Sequence, residues 1–147
     1  MAPTTVSAEE CMDLVRTVGA MRRGFAQRLS PILQDRYGVD MQLFVLLKRI
    51  EQGAAHPGAL ARGAMEPPSQ ITRQIDKLQA LGFVVRTLDR EDSRRIRLQL
   101  TEKARALLGS VDDAVVSLIG PPLAELPAAD RKALIEGLRH INAWLLA

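Results

Sequence analysis

The stretch from residue 68 to residue 86 constrains the fold most, because a helical repeat turns there into an extended strand without a linker. Ile71, Ile75 and Leu78 recur at helical spacing, so one face of the predicted helix meets a core. At about 100° per residue, the opposite face carries small hydroxyl, amide and cationic side chains. The members of this polar face are Ser69, Gln70, Arg73 and Lys77, with Asp76 at its edge. After Gly82, which suits a left-handed helix cap, the chain becomes β-branched and extended.

Such side chains near the start of a helix are the groups that reach base edges and phosphates in a DNA major groove. We therefore interpret residues 68–86 as a recognition helix that runs into a β-wing. The alternative is a helix with a purely structural role, whose apolar face packs on the core and whose polar face is exposed to solvent. The hairpin that follows the helix favours the first interpretation.

Apolar periodicity and capping residues predict further helices around this stretch. Gly38 ends the first helix, Asp40 is a credible N-cap for the second, and Pro68 suits the first turn of the recognition helix. Thr101 can cap a long helix, which Gly120 and the two prolines after it interrupt. The predicted helices, besides the recognition helix, span residues 8–35, 41–51, 59–65, 102–119 and 129–146, and the strands span residues 83–88 and 95–100. The helix, tight turn and helix before the hairpin form a helix-turn-helix arrangement.

The predicted hairpin carries cations around its turn, residues 89–94. Arg94, with Arg90 and Arg95 near it, is expected on the wing, where a guanidinium can enter a narrow minor groove. Asp92 is expected to orient an arginine or cap the turn, and so to stabilise the wing. The alternative is a solvated hairpin tip. In the second strand, alternation predicts one buried side, formed by Ile96, Leu98 and Leu100.

Both ends of the chain carry long apolar stripes that the central part is too small to bury. The first helix repeats Leu14, Val18, Met21, Phe25 and Ile32, widened by Val15 and Leu29, and the last repeats Leu134, Leu138, Ile141 and Leu145 beside Trp144. A homodimer built from these helices resolves the problem, since two-fold pairing is the commonest form of soluble oligomer. The alternative is an intramolecular helical cap on a monomer. The predicted dimerisation residues are Leu14, Val18, Met21, Leu134, Leu138, Ile141, Trp144 and Leu145.

Length and composition exclude several other classes of protein. A chain of 147 residues suits one domain, and its aromatic content of 3% argues against single-strand binding by base stacking. Residues 1–7 are polar and predict no signal peptide, and no apolar run approaches the roughly 18–20 residues of a membrane helix. We therefore expect a cytoplasmic protein with no membrane partner. With Cys11 as the single cysteine, and His56 and His140 as the only histidines, we predict no enzyme, no cofactor and no metal site.

Three linked motifs resemble the MarR family of bacterial transcription regulators. The first is PSQITR at residues 68–73, together with the residues that follow it up to residue 84. The second is the wing, DREDSR at residues 89–94, and the third is LQLTEK at residues 98–103, which is similar to the family's strand-to-helix junction. The chain departs from the family pattern at Glu91 and Ser93, where arginine is usual. It also departs at Ala104, where glycine is frequent, and at Pro127, where a hydroxyl N-cap is frequent.

The resemblance implies a mainly α fold with a small β-hairpin wing (α+β), in one domain over residues 1–147. A winged helix-turn-helix at residues 40–105 would be flanked by dimerisation helices at residues 8–35 and 106–147. It implies a homodimer on a pseudo-palindromic double-stranded operator, with half-sites about 34–36 Å apart. The residues expected to contact DNA are Pro68, Ser69, Gln70, Thr72, Arg73, Lys77, Arg90, Arg94 and Arg95. Repression is favoured over activation, with release by a small aromatic or phenolic ligand.

Three functional questions stay open in the sequence. Arg16, Arg22, Arg23 and His56 are possible partners for a ligand carboxylate, but surface charges and a loop histidine explain them more simply, so no pocket is assigned. The resemblance also raises a peroxide-sensing role for Cys11, since some members of the family use a cysteine in the first helix, but the acidic residues around it favour a packing role. A winged-helix module that binds a protein instead of DNA is the remaining alternative.

Overall fold

The computed structural model describes residues 5–147. Residues 1–4, which form part of the segment predicted to contain no signal peptide, lie outside the described residues. The chain divides into two compact units, one ending at Val111 and one comprising Asp112–Ala147.

The first unit contains four helices, a hairpin and the start of a fifth helix. In chain order these are α1 (Ala8–Tyr37), α2 (Met41–Glu51), α3 (Pro57–Ala64), α4 (Pro68–Ala80), β1 (Val84–Leu88), β2 (Ile96–Leu100) and α5 (Glu102–Ala124), which continues into the second unit. Each predicted element is present, and boundaries differ by two residues or fewer except at the end of α5.

Local chemistry sets the helix ends. Ser7 and Glu10 form a capping box at the start of α1, in which the Ser7 N–H donates to Glu10 Oε2 at 2.8 Å. This bond is the main cause that lowers the pKa of Glu10 from its ordinary value of 4.5. As predicted, Gly38 ends α1 with φ 65°, and Asp40 caps α2 by accepting the Leu43 N–H at 2.9 Å.

The core of the first unit lies between the helices and the inner face of the hairpin. Its largest fully buried side chains include Leu33, Leu43, Leu47, Leu60, Ile71, Ile75, Leu78, Phe83, Leu98, Leu107 and Leu108. β1 and β2 pair antiparallel, with Val84 opposite Leu100 and Leu88 opposite Ile96. The Leu98 N–H also donates to Ala55 O at 2.7 Å, which ties β2 to the segment before α3.

One strand prediction is wrong. Leu98 is buried, but Ile96, expected beside it, is 44% exposed, and its cross-strand neighbour Leu88 is 67% exposed. Both residues lie at the turn end of the hairpin, which extends past the core, so alternation alone does not bury them.

The junction between β2 and α5 also holds the end of α4. Thr101 Oγ1 accepts the Ala104 N–H at 3.2 Å, which caps α5, and donates to Gly82 O at 2.6 Å. Lys103 Nζ donates to Leu81 O at 2.7 Å and lies 4.7 Å from the centre of the Phe83 ring. The TEK part of the LQLTEK motif therefore ties the end of α4 to the start of α5.

The second unit contains the rest of α5 and α6 (Ala128–Leu145). The predicted break at Gly120 is wrong, because α5 continues through Pro121 and Pro122 to Ala124. A proline removes one helical hydrogen bond, but its own φ is compatible with a helix, so it does not by itself end one. α6 starts after Pro127 without a side-chain cap, and none of its residues is buried.

α5 is long and apolar enough, by length and composition, to cross a membrane. This finding concerns the mean hydropathy of a window, whereas the sequence expectation concerned uninterrupted apolar runs, and charged residues interrupt α5 near its middle. The finding is weak evidence, since Asp112 and Asp113 lie near the middle of α5 and each would cost about 2.5–3.5 kcal/mol at a bilayer centre. The buried residues at its start, Leu107 and Leu108 among them, belong to the core of the first unit.

Candidate nucleic-acid interface

α4 separates an apolar face from a polar one. Ile71, Ile75 and Leu78 are at most 1% exposed and face the core. The predicted DNA-contacting residues of this helix, Pro68, Ser69, Gln70, Thr72, Arg73 and Lys77, are all exposed. Within the described part of the chain, Arg73 and Lys77 have no ion-pair partner, so both cations are available to an anionic ligand.

The start of α4 carries no side-chain cap, because Pro67 occupies the N-cap position and Pro68 follows it. This leaves the positive end of the helix open to an anion. Thr72 is more restricted than the sequence indicates, since its hydroxyl donates to Pro68 O at 2.9 Å. Its oxygen can still accept a hydrogen bond, and its methyl group remains free for an apolar contact.

Arg86 fixes α4 to the wing, a role that the sequence analysis missed. Its guanidinium on β1 donates to the Asp76 carboxylate and to Gln79 Oε1, both on α4. Arg86 lies two residues after the buried Val84, on the inward-facing side of the strand, opposite Leu98. An arginine at an inward position is the sequence signal that points to such a partner.

Two aspartates organise the wing turn. Asp89 Oδ1 accepts the N–H groups of Glu91 at 2.8 Å and Asp92 at 3.4 Å. The bond from Glu91 is the main cause that holds the pKa of Asp89 below its ordinary value of 3.8, with smaller help from the charges of His56 and Arg97.

Asp92, the residue predicted to stabilise the wing, accepts the Arg94 N–H on Oδ1 at 3.0 Å, and its carbonyl accepts the Arg95 N–H at 2.9 Å. Arg90, Arg94 and Arg95 are exposed, and none of them has an ion-pair partner among residues 5–147. The turn therefore presents three free cations on a hydrogen-bonded loop.

His56 connects the wing to α3. Its Nδ1 lies 2.9 Å from Ile96 O and its Nε2 lies 3.2 Å from Asp89 Oδ2. Each ring nitrogen therefore lies within hydrogen-bond distance of an acceptor, one on β2 and one at the wing turn. The sequence analysis placed His56 in a surface loop, because its two partners lie more than 30 residues further along the chain.

The remaining candidate residues lie in α1, α2 and α6. Arg16 pairs with Asp13 at 3.6 Å, and Cys11 and His140 are exposed. Arg22 and Arg49 line a cavity of about 260 Å³ together with Met41, Gln42, Val45, Leu46, Ala64, Glu66 and Gln74. Arg49 Nη1 is buried without a hydrogen-bond partner in the described structure, and it lies next to Gly63, which is not among the residues that line this cavity.

The predicted dimerisation residues remain uncovered within each unit. In α1, Leu14, Val18 and Met21 are 39–49% exposed. In α6, the exposed members are Leu134, Ile141, Trp144 and Leu145, and Leu138 is half-buried.

The relatives that match this chain by sequence are named as transcriptional regulators. The chain is 34% identical over 94 residues to an uncharacterized HTH-type transcriptional regulator of Mycobacterium bovis, and equally to an HTH-type transcriptional regulator of Mycobacterium tuberculosis. Each match covers 63% of this chain and 65% of the relative. No protein-family model matches the chain.

Solved structures match over nearly the whole chain. The transcriptional regulator BldR from Sulfolobus solfataricus is 25% identical with a TM-score of 0.72, covering 95% of this chain and 99% of its own. A MarR family protein from Bacillus stearothermophilus is 18% identical with a TM-score of 0.80, covering 97% and 100%. Streptococcus pneumoniae FabT, solved in complex with DNA, is 13% identical with a TM-score of 0.77, covering 91% and 96%. The predicted fold class and the resemblance to the MarR family are confirmed.

Proposed function

We propose, from the premise that this chain has the MarR-type winged helix-turn-helix fold, that it is a cytoplasmic transcriptional regulator that binds double-stranded DNA as a homodimer. The observation that carries the proposal is a set of five exposed cations that have no ion-pair partner among residues 5–147: Arg73 and Lys77 on α4, and Arg90, Arg94 and Arg95 on the wing. Regulator names among the sequence relatives support it, as does the DNA complex of FabT.

In the proposed complex, α4 and the wing contact DNA as a single unit. Arg86 links α4 to β1, and His56 links the wing turn to α3. In the proposed complex α4 enters the major groove with Arg73 directed at a guanine, and Lys77 reaches a phosphate. The wing arginines contact the adjacent minor groove. Residues 40–105 act as the DNA-binding lobe.

The exposed apolar side chains of α1 and α6 support dimerisation. In the proposed dimer, residues 8–35 and 106–147 pair two protomers, which sets two copies of α4 about 34–36 Å apart on a pseudo-palindromic operator. Bound dimer represses transcription by occupying promoter DNA.

Nuclease protection on the DNA upstream of the protein's own gene tests this proposal. The wild-type protein should protect a site with two-fold symmetry. Arg73→Ala should weaken binding by about 1–3 kcal/mol per half-site, the value of a bidentate base contact. Arg36→Ala, which removes an exposed arginine from the last turn of α1, is the matched control and should bind as the wild type does.

A winged-helix protein-binding module predicts a different result in the same assay. Its residual DNA affinity would be weak and insensitive to salt, whereas a regulator loses affinity steeply as salt rises. The absence of any protected site, or equal affinities for wild type and Arg73→Ala, would contradict DNA binding through α4.

We also propose that a small aromatic or phenolic compound releases the DNA. The 260 Å³ cavity supports this, because its volume suits a single ring and the side chains of Arg22 and Arg49 line it. Single-ring aromatic acids should raise the melting temperature of the wild-type protein and should not do so for Arg49→Met. Equal shifts in the two proteins would place the compound elsewhere.

A further inference from the structure

The turn between α3 and α4 contains an unusual methionine. Met65 ends α3 in the left-handed region, at φ 56° and ψ 31°. Among residues 5–147 it is the only non-glycine residue with a positive φ. This conformation places Cβ close to the backbone, so it is costly for most residues other than glycine and asparagine.

The packing of the Met65 side chain does not offset the cost of this backbone conformation. The Met65 side chain is 94% exposed and takes no part in the core. A glycine would relieve the backbone, and a polar side chain would suit the solvent. A strained residue that adds nothing to the packing of the free protein points to a functional role.

The turn around Met65 is fixed. Gln74 Nε2 on α4 donates to Glu66 Oε2 at 2.9 Å. The next two residues, Pro67 and Pro68, have φ angles that their rings fix. The backbone of Met65 is therefore held in place shortly before the first residues of α4, and its side chain extends from there into solvent. In helix-turn-helix proteins these first residues contact base edges.

We propose that Met65 is a specificity-determining residue that packs against a thymine methyl group at the edge of each half-site. The thymine methyl is the apolar group that the major groove presents, and a thioether on a flexible chain suits it. A protein partner would be expected to meet a larger apolar patch, whereas the residues that follow Met65 on α4 are polar or cationic. The proposal rests on the DNA binding proposed above.

Thymine-to-uracil replacement tests the contact, because it removes only the methyl group. Each thymine of the duplex identified by nuclease protection is replaced in turn, in both half-sites. For wild-type protein, one symmetric pair of replacements should weaken binding by about fourfold per methyl group. Met65→Gly should bind the unmodified duplex more weakly, and these same replacements should then have no effect. Met65→Leu keeps an apolar side chain and should remain sensitive.

The melting temperature separates this role from a structural one. Met65→Gly should melt at a higher temperature than the wild type while binding DNA less tightly, and a merely structural residue would not show that opposition. Met65→Asn, which also tolerates the left-handed region, is the second variant if the glycine variant folds poorly.

Two results would overturn the inference. One is a Met65→Gly or Met65→Asn protein that binds as tightly as the wild type. The other is a variant that keeps the full sensitivity to every thymine replacement. If either result is found while Arg73→Ala still binds DNA weakly, only the inference about Met65 fails and the proposed function stands. If Arg73→Ala binds DNA as tightly as the wild type, both the proposed function and the inference fail.

Discussion

His56 shows how a single side chain determines the stability of the wing. Its Nδ1 faces Ile96 O and its Nε2 faces the Asp89 carboxylate, so its removal releases the hairpin turn from the start of α3. We expect His56→Ala to raise hydrogen exchange over residues 89–96 and to weaken DNA binding, at a cost of about 1 kcal/mol in unfolding free energy. His140→Ala, at an exposed position of α6, is the control and should leave exchange in the wing unchanged. Unaltered exchange in His56→Ala would contradict the link.

Asp89 makes the wing sensitive to acid. Its pKa is lowered in the folded state, chiefly by the Glu91 N–H, so its contribution is present above its unfolded pKa and is lost as pH falls through the folded value. We therefore expect the wild type to lose stability below about pH 4, and Asp89→Asn to lose less over the same range. Urea unfolding between pH 2 and pH 7 measures this, and parallel curves for the two proteins would refute it.

Single residues were predictable where local patterns determine them. The polar face of α4 follows from helical periodicity, and the caps at Gly38, Asp40 and Thr101 follow from residue type. Arg86 and His56 were not assigned their roles, because each depends on a partner brought close by folding.

Arg94 tests the wing as an element. Its side chain is exposed and unpaired among the described residues, while Asp92 holds its backbone N–H. We expect Arg94→Ala to weaken DNA binding and to flatten the dependence of log K on log salt by about one for each phosphate that the variant no longer neutralises. A fluorescence titration over several salt concentrations measures both quantities. Arg105→Ala, on α5, is the matched control, and an unchanged slope in Arg94→Ala would remove this arginine from the interface.

The β2–α5 junction is a second element-level test. Thr101 caps α5 and also bonds Gly82 O at the end of α4. We expect Thr101→Val to lower the unfolding free energy by about 1–2 kcal/mol, the range for removing a helix cap together with a second bond. Urea denaturation measures the change. Thr87→Val, whose hydroxyl makes only a 3.4 Å bond to Arg97 O, should cost less.

Element boundaries were less predictable than element types. The break expected at Gly120 did not occur, because prolines weaken a helix without forbidding its continuation. Ile96 was placed on the buried side of β2 because alternation describes a strand without showing where the core ends.

The whole molecule is expected to depend on pairing. A charge on an exposed apolar face of α1 or α6 should prevent association, so Val18→Glu and Ile141→Glu should sediment as monomers and lose operator binding. Sedimentation velocity measures the mass. Leu88→Glu, at a 67% exposed position of the hairpin, should leave the mass at that of the wild type. A wild-type protein that is monomeric at working concentration would rule out the homodimer.

The uncovered side chains of α1 and α6 have a consequence for the dose response of the proposed switch. If only the dimer binds both half-sites, promoter occupancy rises with the square of the protein concentration as long as most of the protein is monomeric. The strength of the association between two chains then sets a threshold concentration, and a modest change in the rate of protein synthesis changes expression of the target gene more sharply than one-to-one binding allows.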